Sequence, residues 1–261
     1  MNSKYKVIKQ IGKGGFGITK LVQDKKTGKK YIRKQTVMDK SDPNYDPQLA
    51  KANMDYQVQM LKELKKKGIC NKFICPRERY VVKGETFFIM DYLEGYKDLD
   101  SKDVNIKSKK DKEKVCADLI QSVELLHRND IVHTDLKPPN VMINPKTKEV
   151  KIIDFGTAIK KVPKKRTYDV IGYSEDYTMM DLSKYSISWT KLIDNDMLCL
   201  GLTLIEFLGA PRYSSDCSKS VCSVNKDFFE CYHHCKKVTR GFDKKNFLEV
   251  YQIMLNHYLG T

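Results

Sequence analysis

The stretch "IVHTDLKPPN", residues 131–140, sets polar side chains at fixed intervals along a short loop. His133 stands two positions before Asp135, Lys137 two positions after it and Asn140 five positions after it. An aspartate and an asparagine on one loop can act as a proton acceptor and as a ligand for a hard metal ion. The stretch therefore raises the question whether the chain catalyses a reaction or only resembles a protein that does.

The composition is that of a folded chain with an excess of basic residues. At 261 residues with 41% hydrophobic content, the chain is long enough for one large domain or two small lobes. No apolar run reaches the roughly eighteen residues of a membrane span, and the first ten residues lack the apolar core of a signal peptide, which predicts an intracellular protein, cytoplasmic or nuclear. The net charge of +15 predicts attraction to acidic or phosphate-bearing partners, unless the lysines only cover a solvated surface.

The eight cysteines are expected to be reduced thiols or metal ligands, with disulfides as the lesser alternative, because no secretory signal is present. Four of them lie near His233 and His234 at intervals that allow a structural zinc site. These four are Cys217, Cys222, Cys231 and Cys235. Free thiols packed in a core are the alternative explanation.

The pattern of apolar residues changes along the chain from strand-like to helix-like. Alternation predicts three antiparallel strands over 5–37, a helix over 46–68 and a strand hairpin over 79–95, after which helical periodicity prevails. The predicted fold is α+β, with a small antiparallel β lobe and one helix over 1–93 and a larger, mainly helical lobe over 94–261. We expect the two lobes to form a single domain with a ligand-binding cleft.

Three glycines in "GKGGFG", residues 12–17, form a G-x-G-x-x-G run between the first two predicted strands. Because the run joins two strands instead of opening a helix, it differs from a dinucleotide-binding turn and favours a hairpin whose backbone N–H groups contact phosphates. Glycines that only form a tight hairpin are the alternative. Lys34 on the next strand could reach the same phosphates, although an arbitrary strand lysine is usually exposed.

A second carboxylate, Asp154, follows an apolar strand in "IIDFG", residues 152–156. Asp154 and Asn140 offer the oxygen ligands that Mg²⁺ prefers beside nucleotide phosphates. Asp135 then remains to accept the proton of an incoming hydroxyl.

In this order, the glycine run, Lys34, the loop at 131–140 and "DFG" at 154–156 resemble the motifs of eukaryotic-type serine/threonine protein kinases, over about residues 5–209. The resemblance implies a two-lobed fold that binds ATP with Mg²⁺ and transfers its γ-phosphoryl group to hydroxyls of protein substrates. The region after residue 209 is short for this family, and "RGFDKKNFLEVYQIMLNHY" in it resembles the casein kinase one group.

The resemblance also assigns roles to single residues. Asp135, Lys137 and Lys34 are implied to be catalytic, and Lys137 is typical of the serine/threonine-specific form of the loop. Asn140 and Asp154 are implied to be the metal ligands. The implied nucleotide-binding residues lie on the glycine hairpin, the lysine strand and the hinge that follows the gatekeeper Met90. They are Ile11, Gly12, Lys13, Gly14, Gly15, Phe16, Gly17, Ile18, Thr19, Ile32, Lys34, Met90, Asp91 and Leu93.

Several residues depart from the family pattern or carry a special expectation. Gln57 stands where the family has a glutamate facing Lys34, so we expect a neutral amide beside that ammonium. Ile32 replaces a small alanine over the adenine. Thr134 replaces an arginine that pairs with an activation-segment phosphate, which predicts activity without such a phosphate. Asp196 is expected to support the catalytic loop.

Two readings compete with an active kinase. A pseudokinase scaffold that binds nucleotide weakly or not at all is suggested by Gln57, by Ile32 and by "MMD" at 179–181 in place of the family's "APE". The charge also permits a nucleic-acid-binding protein, although no aromatic-basic recognition motif is present. The basic run "KKVPKKR" at 160–166 predicts acidic or already phosphorylated substrates, with a nuclear-import signal or a solvated loop as alternatives.

Overall fold

The chain folds into two compact units. The computed structural model describes residues 4–14, 17–35, 47–82, 85–174, 177 and 186–208. The first unit comprises Met1–Tyr96 and Val150–Ala158, and the second comprises Lys97–Glu149 and Ile159–Thr261. The sequence placed the boundary after residue 93, whereas in the structure it follows Tyr96, and the segment that contains Asp154 groups with the first unit.

One antiparallel sheet of five strands dominates the first unit. The strands are β1 Tyr5–Gly14, β2 Gly17–Asp24, β3 Lys30–Gln35, β4 Pro76–Val82 and β5 Glu85–Asp91. Their order in the sheet is β1-β2-β3-β5-β4. The three-strand meander and the hairpin predicted from residue alternation are therefore confirmed, and with them the α+β class of the fold.

Alternation along β3 explains why Lys34 is buried. Side chains two residues apart lie on the same face of a strand, and Ile32 and Lys34 are both 8% exposed. Ile32 pairs with Met90 and Lys34 with Phe88 on β5, and both partners are buried. Lys34 therefore lies on an apolar face, where an ammonium group requires a counter-charge. The alternative of an exposed strand lysine is excluded.

The predicted helix after the third strand is present as α1, Pro47–Lys66. Its buried residues recur at intervals of three and four, as expected for a helix that packs one face against a sheet. They are Met54, Gln57, Val58, Met60, Leu61 and Leu64. The chain leaves the helix at Gly68, which has a φ of 73° and donates its N–H to the Lys65 carbonyl oxygen at 3.0 Å. This left-handed conformation favours glycine.

The described part of the second unit contains two long helices, short strand pairs and one 3-10 turn. The helices are α2 Lys109–Arg128 and α3 Trp189–Leu208, and the turn is Pro138–Asn140. The strands are β6 Lys97–Asp98, β7 Ile131–Val132, β8 Val141–Ile143, β10 Ile159–Lys160, β11 Thr167–Tyr168 and β12 Ile187–Ser188, while β9 Val150–Ile152 belongs to the first unit. β6 pairs with β8, β7 with β10 and β11 with β12, all antiparallel.

The buried helix predicted from "DMLCLGLTLIEFLG" is confirmed as part of α3. Its most buried apolar residues include Leu192, Cys199, Leu200 and Leu204. α2 is amphipathic and begins after Ser108, whose Oγ accepts a hydrogen bond from the Asp111 N–H at 3.3 Å and so caps the first turn. Among the helices of the described residues, none has the length and apolar character needed to cross a lipid bilayer.

The cysteines depart from the prediction of reduced thiols at one pair. Cys70 and Cys75 are joined by a disulfide, which was the lesser alternative in the sequence-based prediction. Cys116 and Cys199 are buried and belong to no disulfide. Burial raises the pKa of the Cys199 thiol well above its usual range, so this thiol stays protonated and unreactive. The four C-terminal cysteines lie outside the described residues.

Replacing Asp194 with asparagine should stabilise the fold at neutral pH. Asp194 is 6% exposed, and its Oδ1 has no hydrogen-bond partner among the described residues. Burial raises the pKa of the Asp194 carboxyl, so the folded state binds this proton more tightly than the unfolded state. The carboxyl therefore contributes least to stability above its raised pKa, where it is ionised and buried. We expect Asp194→Asn to raise the free energy of unfolding at pH 7 by about 1 kcal/mol.

Urea unfolding at several pH values measures this effect. The difference from wild type should shrink as the pH falls through the raised pKa towards the ordinary value of an aspartate, because the wild-type carboxyl is then neutral as well. Asp103→Asn is the matched control. Asp103 is exposed, and its hydrogen bond with Lys97 lowers the pKa of its carboxyl, so this variant should gain no stability at pH 7. A loss of stability in Asp194→Asn at pH 7 would contradict the interpretation.

Candidate active site

Lys34 and Asp154 form an ion pair in the first unit, with 2.7 Å between Nζ and Oδ1. The Lys34 side chain is 9% exposed and that of Asp154 is 45% exposed. Asp154 has a φ of 57°, a conformation that is uncommon outside glycine and is often found at functional sites. The pair thus offers a carboxylate that solutes can reach, beside an ammonium group that depends on it for charge compensation.

Gln57 on α1 also reaches this pair. It is 3% exposed, and its Nε2 donates to Asp154 Oδ1 at 3.4 Å. The predicted register of α1, which turns Gln57 and not another residue toward this cluster, agrees with the structure. The amide of Gln57 and the ammonium of Lys34 donate to the same oxygen, Asp154 Oδ1. The structure thus adds Asp154 as a partner of Gln57, and a direct hydrogen bond between Gln57 and Lys34 stays a prediction.

The glycine run lies at the tip of the β1–β2 hairpin. Gly12 pairs with Thr19 and Gly14 with Gly17. A side chain at Gly17 would collide with the carbonyl oxygen of Gln35, so close backbone packing requires glycine there independently of any ligand. A Cβ added at Gly12 would lie 3.8 Å from the Cβ of Thr19, an ordinary van der Waals contact, so packing does not require glycine there. Backbone packing thus explains the glycine at position 17. A phosphate-binding role remains a prediction for Gly12, at the other end of the run.

The remaining predicted nucleotide-binding residues of the first unit differ in exposure. Ile32 and Met90 are paired across β3 and β5 and are buried, while Ile11 is 47% exposed. Asp91 forms an ion pair with Arg77 through its side chain. The nucleotide contact predicted for Asp91 involves only its backbone, so this ion pair does not conflict with it. Lys13 is exposed, and Ile18, Thr19 and Leu93 are partly buried.

In the second unit, the loop at 131–140 orients the carboxylate of Asp135. Lys137 Nζ lies 2.8 Å from Asp135 Oδ2, and Asn140 Nδ2 donates to the same oxygen at 3.1 Å and to the Asp135 carbonyl oxygen at 2.8 Å. Asp135 Oδ1 is buried without a hydrogen-bond partner among the described residues. One oxygen is therefore fixed by two donors, and the other has no donor among the described residues and can accept one from a ligand.

The buried side chain of Asp196, on α3, supports the loop at 131–140. It is fully buried and accepts hydrogen bonds from the backbone N–H groups of His133 and Thr134, each at 2.6 Å. The ring of His127 also contacts Asp196, with 3.0 Å between His127 Nε2 and Asp196 Oδ2. Thr134 has a φ of 65°, which is costly for a β-branched residue and persists only where neighbours hold it. The expected support of the catalytic loop by Asp196 is confirmed.

The sequence analysis missed one residue of this cluster. Lys137 Nζ donates to Ser174 Oγ at 2.6 Å, and the two residues are 37 positions apart. Lys137 thereby contacts both Asp135 and a hydroxyl of the segment that follows β11. No local signal marks Ser174, because a serine in a loop is common and only the folded chain brings it to Lys137.

The basic run at 160–166 forms an ordered, exposed turn. Its base is fixed by Tyr168, which is 3% exposed and whose hydroxyl accepts a hydrogen bond from the Val162 N–H at 3.0 Å. The Tyr168 ring contacts Trp189, with 5.5 Å between ring centroids. Lys161 lies 3.8 Å from the carboxylate of Asp130. Lys160 belongs to β10 and is partly buried, whereas Lys164, Lys165 and Arg166 are exposed.

Several residues of the predicted sites do not belong to the described residues. Gly15, Phe16, the stretch 179–181 and the cysteines of the zinc prediction lie outside them. Within the described part of the chain, no group of three or more histidine, cysteine, aspartate or glutamate residues could hold a metal ion. The zinc prediction concerns residues outside this part and stays a prediction. Asn140 and Asp154 belong to different units, and their joint role as magnesium ligands stays a prediction.

A comparison with known protein families identifies the family of this chain. The protein kinase domain family matches residues 5–252. This chain belongs to that family. The resemblance drawn from the motifs is thus confirmed, and the sheet with one helix in the first unit is the β-rich part of a kinase fold. The narrower resemblance to the casein kinase one group is not confirmed.

Several protein kinases are similar to this kinase domain in sequence. It is 31% identical over 183 residues to calcium-dependent protein kinase 4 of Plasmodium falciparum, covering 66% of this chain and 32% of that protein. It is 30% identical over 193 residues to a probable serine/threonine-protein kinase, zyg-1, of Caenorhabditis elegans, covering 67% of this chain and 25% of that protein. A titin homolog of the same nematode is 27% identical over 219 residues, covering 80% of this chain and 1% of that protein. The kinase domain thus spans a third or less of these relatives.

Proposed function

We propose that this kinase domain is an active serine/threonine protein kinase, which transfers the γ-phosphoryl group of ATP to hydroxyls of protein substrates with Mg²⁺. The observation that carries the proposal is the carboxylate of Asp135. Lys137 and Asn140 hold its Oδ2, while Oδ1 is buried without a partner among the described residues. Such an oxygen is suited to accept a hydrogen bond from a substrate hydroxyl and then its proton.

The other residues would bind and orient the nucleotide. Magnesium, bound with ATP, supplies neutralisation of the phosphate charge. Asp154 fits this ion, since its 45% exposed carboxylate offers the hard oxygen ligands that Mg²⁺ prefers. Lys34 would turn from Asp154 to the phosphates when nucleotide and metal are present. Lys137 would neutralise charge on the transferred group while Ser174 limits its motion.

The rival readings have less support. A pseudokinase scaffold was suggested by Gln57 in place of a glutamate, yet Gln57 is engaged with Asp154, and Lys34, Asp135, Asn140 and Asp154 are all retained. Neither the family match nor the described surface favours a nucleic-acid-binding protein. The direct test is transfer of labelled phosphate from ATP to serine-, threonine- and tyrosine-containing peptides, with Asp135→Asn as the inactive reference.

We propose further that activity does not require a phosphate on the activation segment. Thr134 carries no charge that could bind such a phosphate, and Asp196 fixes the loop through backbone amides. Phosphatase treatment and Thr167→Ala should therefore change kcat by less than about tenfold, a shift under roughly 1.4 kcal/mol. Initial rates before and after treatment measure this. A hundredfold loss would show that another basic residue binds an activating phosphate.

The exposed basic turn supports a proposal about substrates. Lys164, Lys165 and Arg166 extend into solvent from a base fixed by Tyr168, so their positive potential is available to a ligand. We expect their joint replacement by alanine to raise KM for acidic or phosphorylated peptides by about fivefold, with little change in kcat, because the turn binds the substrate without touching the reacting atoms.

A charge-matched variant provides the control for this prediction. Lys102, Lys107 and Lys110 are exposed lysines of the same unit, and their replacement by alanine removes the same net charge elsewhere. The control should leave KM nearly unchanged, and the effect of the turn variant should fade as salt is raised. Equal KM changes in the two variants would assign the effect to net charge alone.

A further inference from the structure

A disulfide closes the short loop that connects α1 to β4. Cys70 and Cys75 are joined, with 5.6 Å between their Cα atoms. The four enclosed residues include Phe73, which is 1% exposed, and Ile74, which is 7% exposed. The loop is therefore both covalently closed and anchored by apolar side chains within the first unit.

The enclosed residues bind the backbone of β9, the strand that leads to Asp154. The Ile74 N–H donates to the Ile152 carbonyl oxygen at 3.1 Å, and the Ile152 N–H donates to the Lys72 carbonyl oxygen at 3.0 Å. Phe73 and Ile152 form a parallel bridge. Lys151 Nζ adds hydrogen bonds to the carbonyl oxygens of Cys70 at 3.1 Å and Asn71 at 2.8 Å. The closed loop thus holds β9 by main-chain and side-chain bonds.

The same loop also contacts the residue that follows Asp154. The rings of Phe73 and Phe155 meet edge to face, with 5.8 Å between their centroids. Phe155 is 1% exposed, so the ring has little space for another position. Asp154 therefore lies between two points fixed by the loop, the strand at Ile152 and the ring at Phe155.

We propose that the Cys70–Cys75 loop is a positioning element for Asp154, and that its disulfide makes magnesium-dependent nucleotide binding sensitive to thiol reductants. The inference rests on the proposed function, in which Asp154 binds the metal. Opening the disulfide returns conformational freedom to the loop. The hydrogen bonds to β9 then hold less firmly, and the carboxylate samples positions away from the metal-binding one.

The chemical step is a thiol–disulfide exchange with a dithiol. One thiolate of the dithiol attacks a sulfur of the Cys70–Cys75 bond, which breaks that bond, expels one cysteine thiolate and leaves a mixed disulfide with the other cysteine. The second thiolate of the dithiol then attacks the dithiol sulfur of the mixed disulfide, forms a cyclic disulfide and expels the second cysteine thiolate. Two electrons and two protons pass to the protein, which leaves two cysteine thiols, and the dithiol is oxidised. Reoxidation by a disulfide of low molecular weight reverses the step.

Hydrogen exchange tests the restraint without any need for activity. The probe is dithiothreitol, and thiol alkylation with mass analysis shows whether Cys70 and Cys75 are reduced. We expect the amides of Ile74 and Ile152 to exchange at least about threefold faster in the reduced wild-type protein than in the oxidised one. The Cys70→Ser/Cys75→Ser variant should exchange like reduced wild type with or without reductant. Its remaining cysteines match those of wild type, so effects through them appear in both proteins.

Nucleotide titrations on the same samples complete the test. Reduction should raise the Mg²⁺ concentration for half-maximal nucleotide binding by about threefold or more in wild type and leave the double variant unchanged. Equal exchange at Ile74 and Ile152 in both redox states overturns the inference, whatever the nucleotide result and even where the double variant does not fold. Faster exchange with an unchanged Mg²⁺ requirement overturns it as well. Absence of magnesium-dependent binding in both states refutes the proposed function and with it the role of Asp154.

Discussion

Asp135→Asn should lower kcat by roughly 10²- to 10⁴-fold, the range that a general base contributes, and leave nucleotide affinity within about twofold of wild type. The asparagine keeps the size of the side chain and can retain the contact of its oxygen with Lys137, which in wild type lies 2.8 Å from Oδ2. It cannot accept a proton at the position of Oδ1. Steady-state rates on a serine peptide and calorimetric titration with nucleotide measure the two quantities separately.

Asp103→Asn is the control for this variant. It makes the same chemical change at an exposed position of the same unit, and its kcat should equal that of wild type. Loss of nucleotide binding in Asp135→Asn, equal to its loss of rate, would contradict the assignment of Asp135 to the substrate hydroxyl. Retention of the rate would show that transfer proceeds without this carboxylate, and the proposed function would fail.

Asp154→Asn should abolish the magnesium-dependent part of nucleotide binding, with an affinity loss of about 100-fold or more at saturating Mg²⁺. The change removes a negative charge from a reachable carboxylate and leaves its shape. Binding measured in the presence of a chelator should change much less, because the contribution proposed for the Asp154 carboxylate is made through the metal. Titration of each protein with nucleotide, with and without Mg²⁺, separates the two contributions.

The same variant has a second effect, on stability, which tests the ion pair directly. Removing the Asp154 charge leaves the Lys34 ammonium, 9% exposed, without its carboxylate partner, and we expect a loss of about 1–3 kcal/mol in the free energy of unfolding. The Lys34→Met/Asp154→Asn double variant should recover most of this loss, since no unpaired charge then remains. Additive losses in the double variant would show that the pair contributes little to the fold.

Much of the first unit could be predicted because its signals are local. Alternation in 5–37 marks β1 to β3, and the three- and four-residue spacing of apolar positions marks α1, since each pattern depends only on neighbours along the chain. The motif residues around Asp135 and Asp154 were also found, because their spacing along the chain is part of the motif.

Contacts between distant parts of the chain could not be predicted in the same way. The hydroxyl of Ser174 reaches Lys137 across 37 positions, and the amide of Gln57 reaches Asp154 across 97. Their side chains carry no spacing signal, and only the fold decides their partners. The disulfide was missed for another reason. Cysteine pairing depends on the distance between Cα atoms in the folded chain, whereas the sequence argument relied on the redox state of a compartment.

The two bonds from Asp196 to the loop end on main-chain N–H groups, and every residue except proline has such a group. A mutation at position 133 or 134 to any residue other than proline therefore leaves these two donors in place. Position 134 can therefore change its chemical character while the main-chain bonds that hold the loop stay in place. A single substitution there can add or remove a phosphate-binding arginine without loss of the bonds from Asp196 to the loop that carries Asp135.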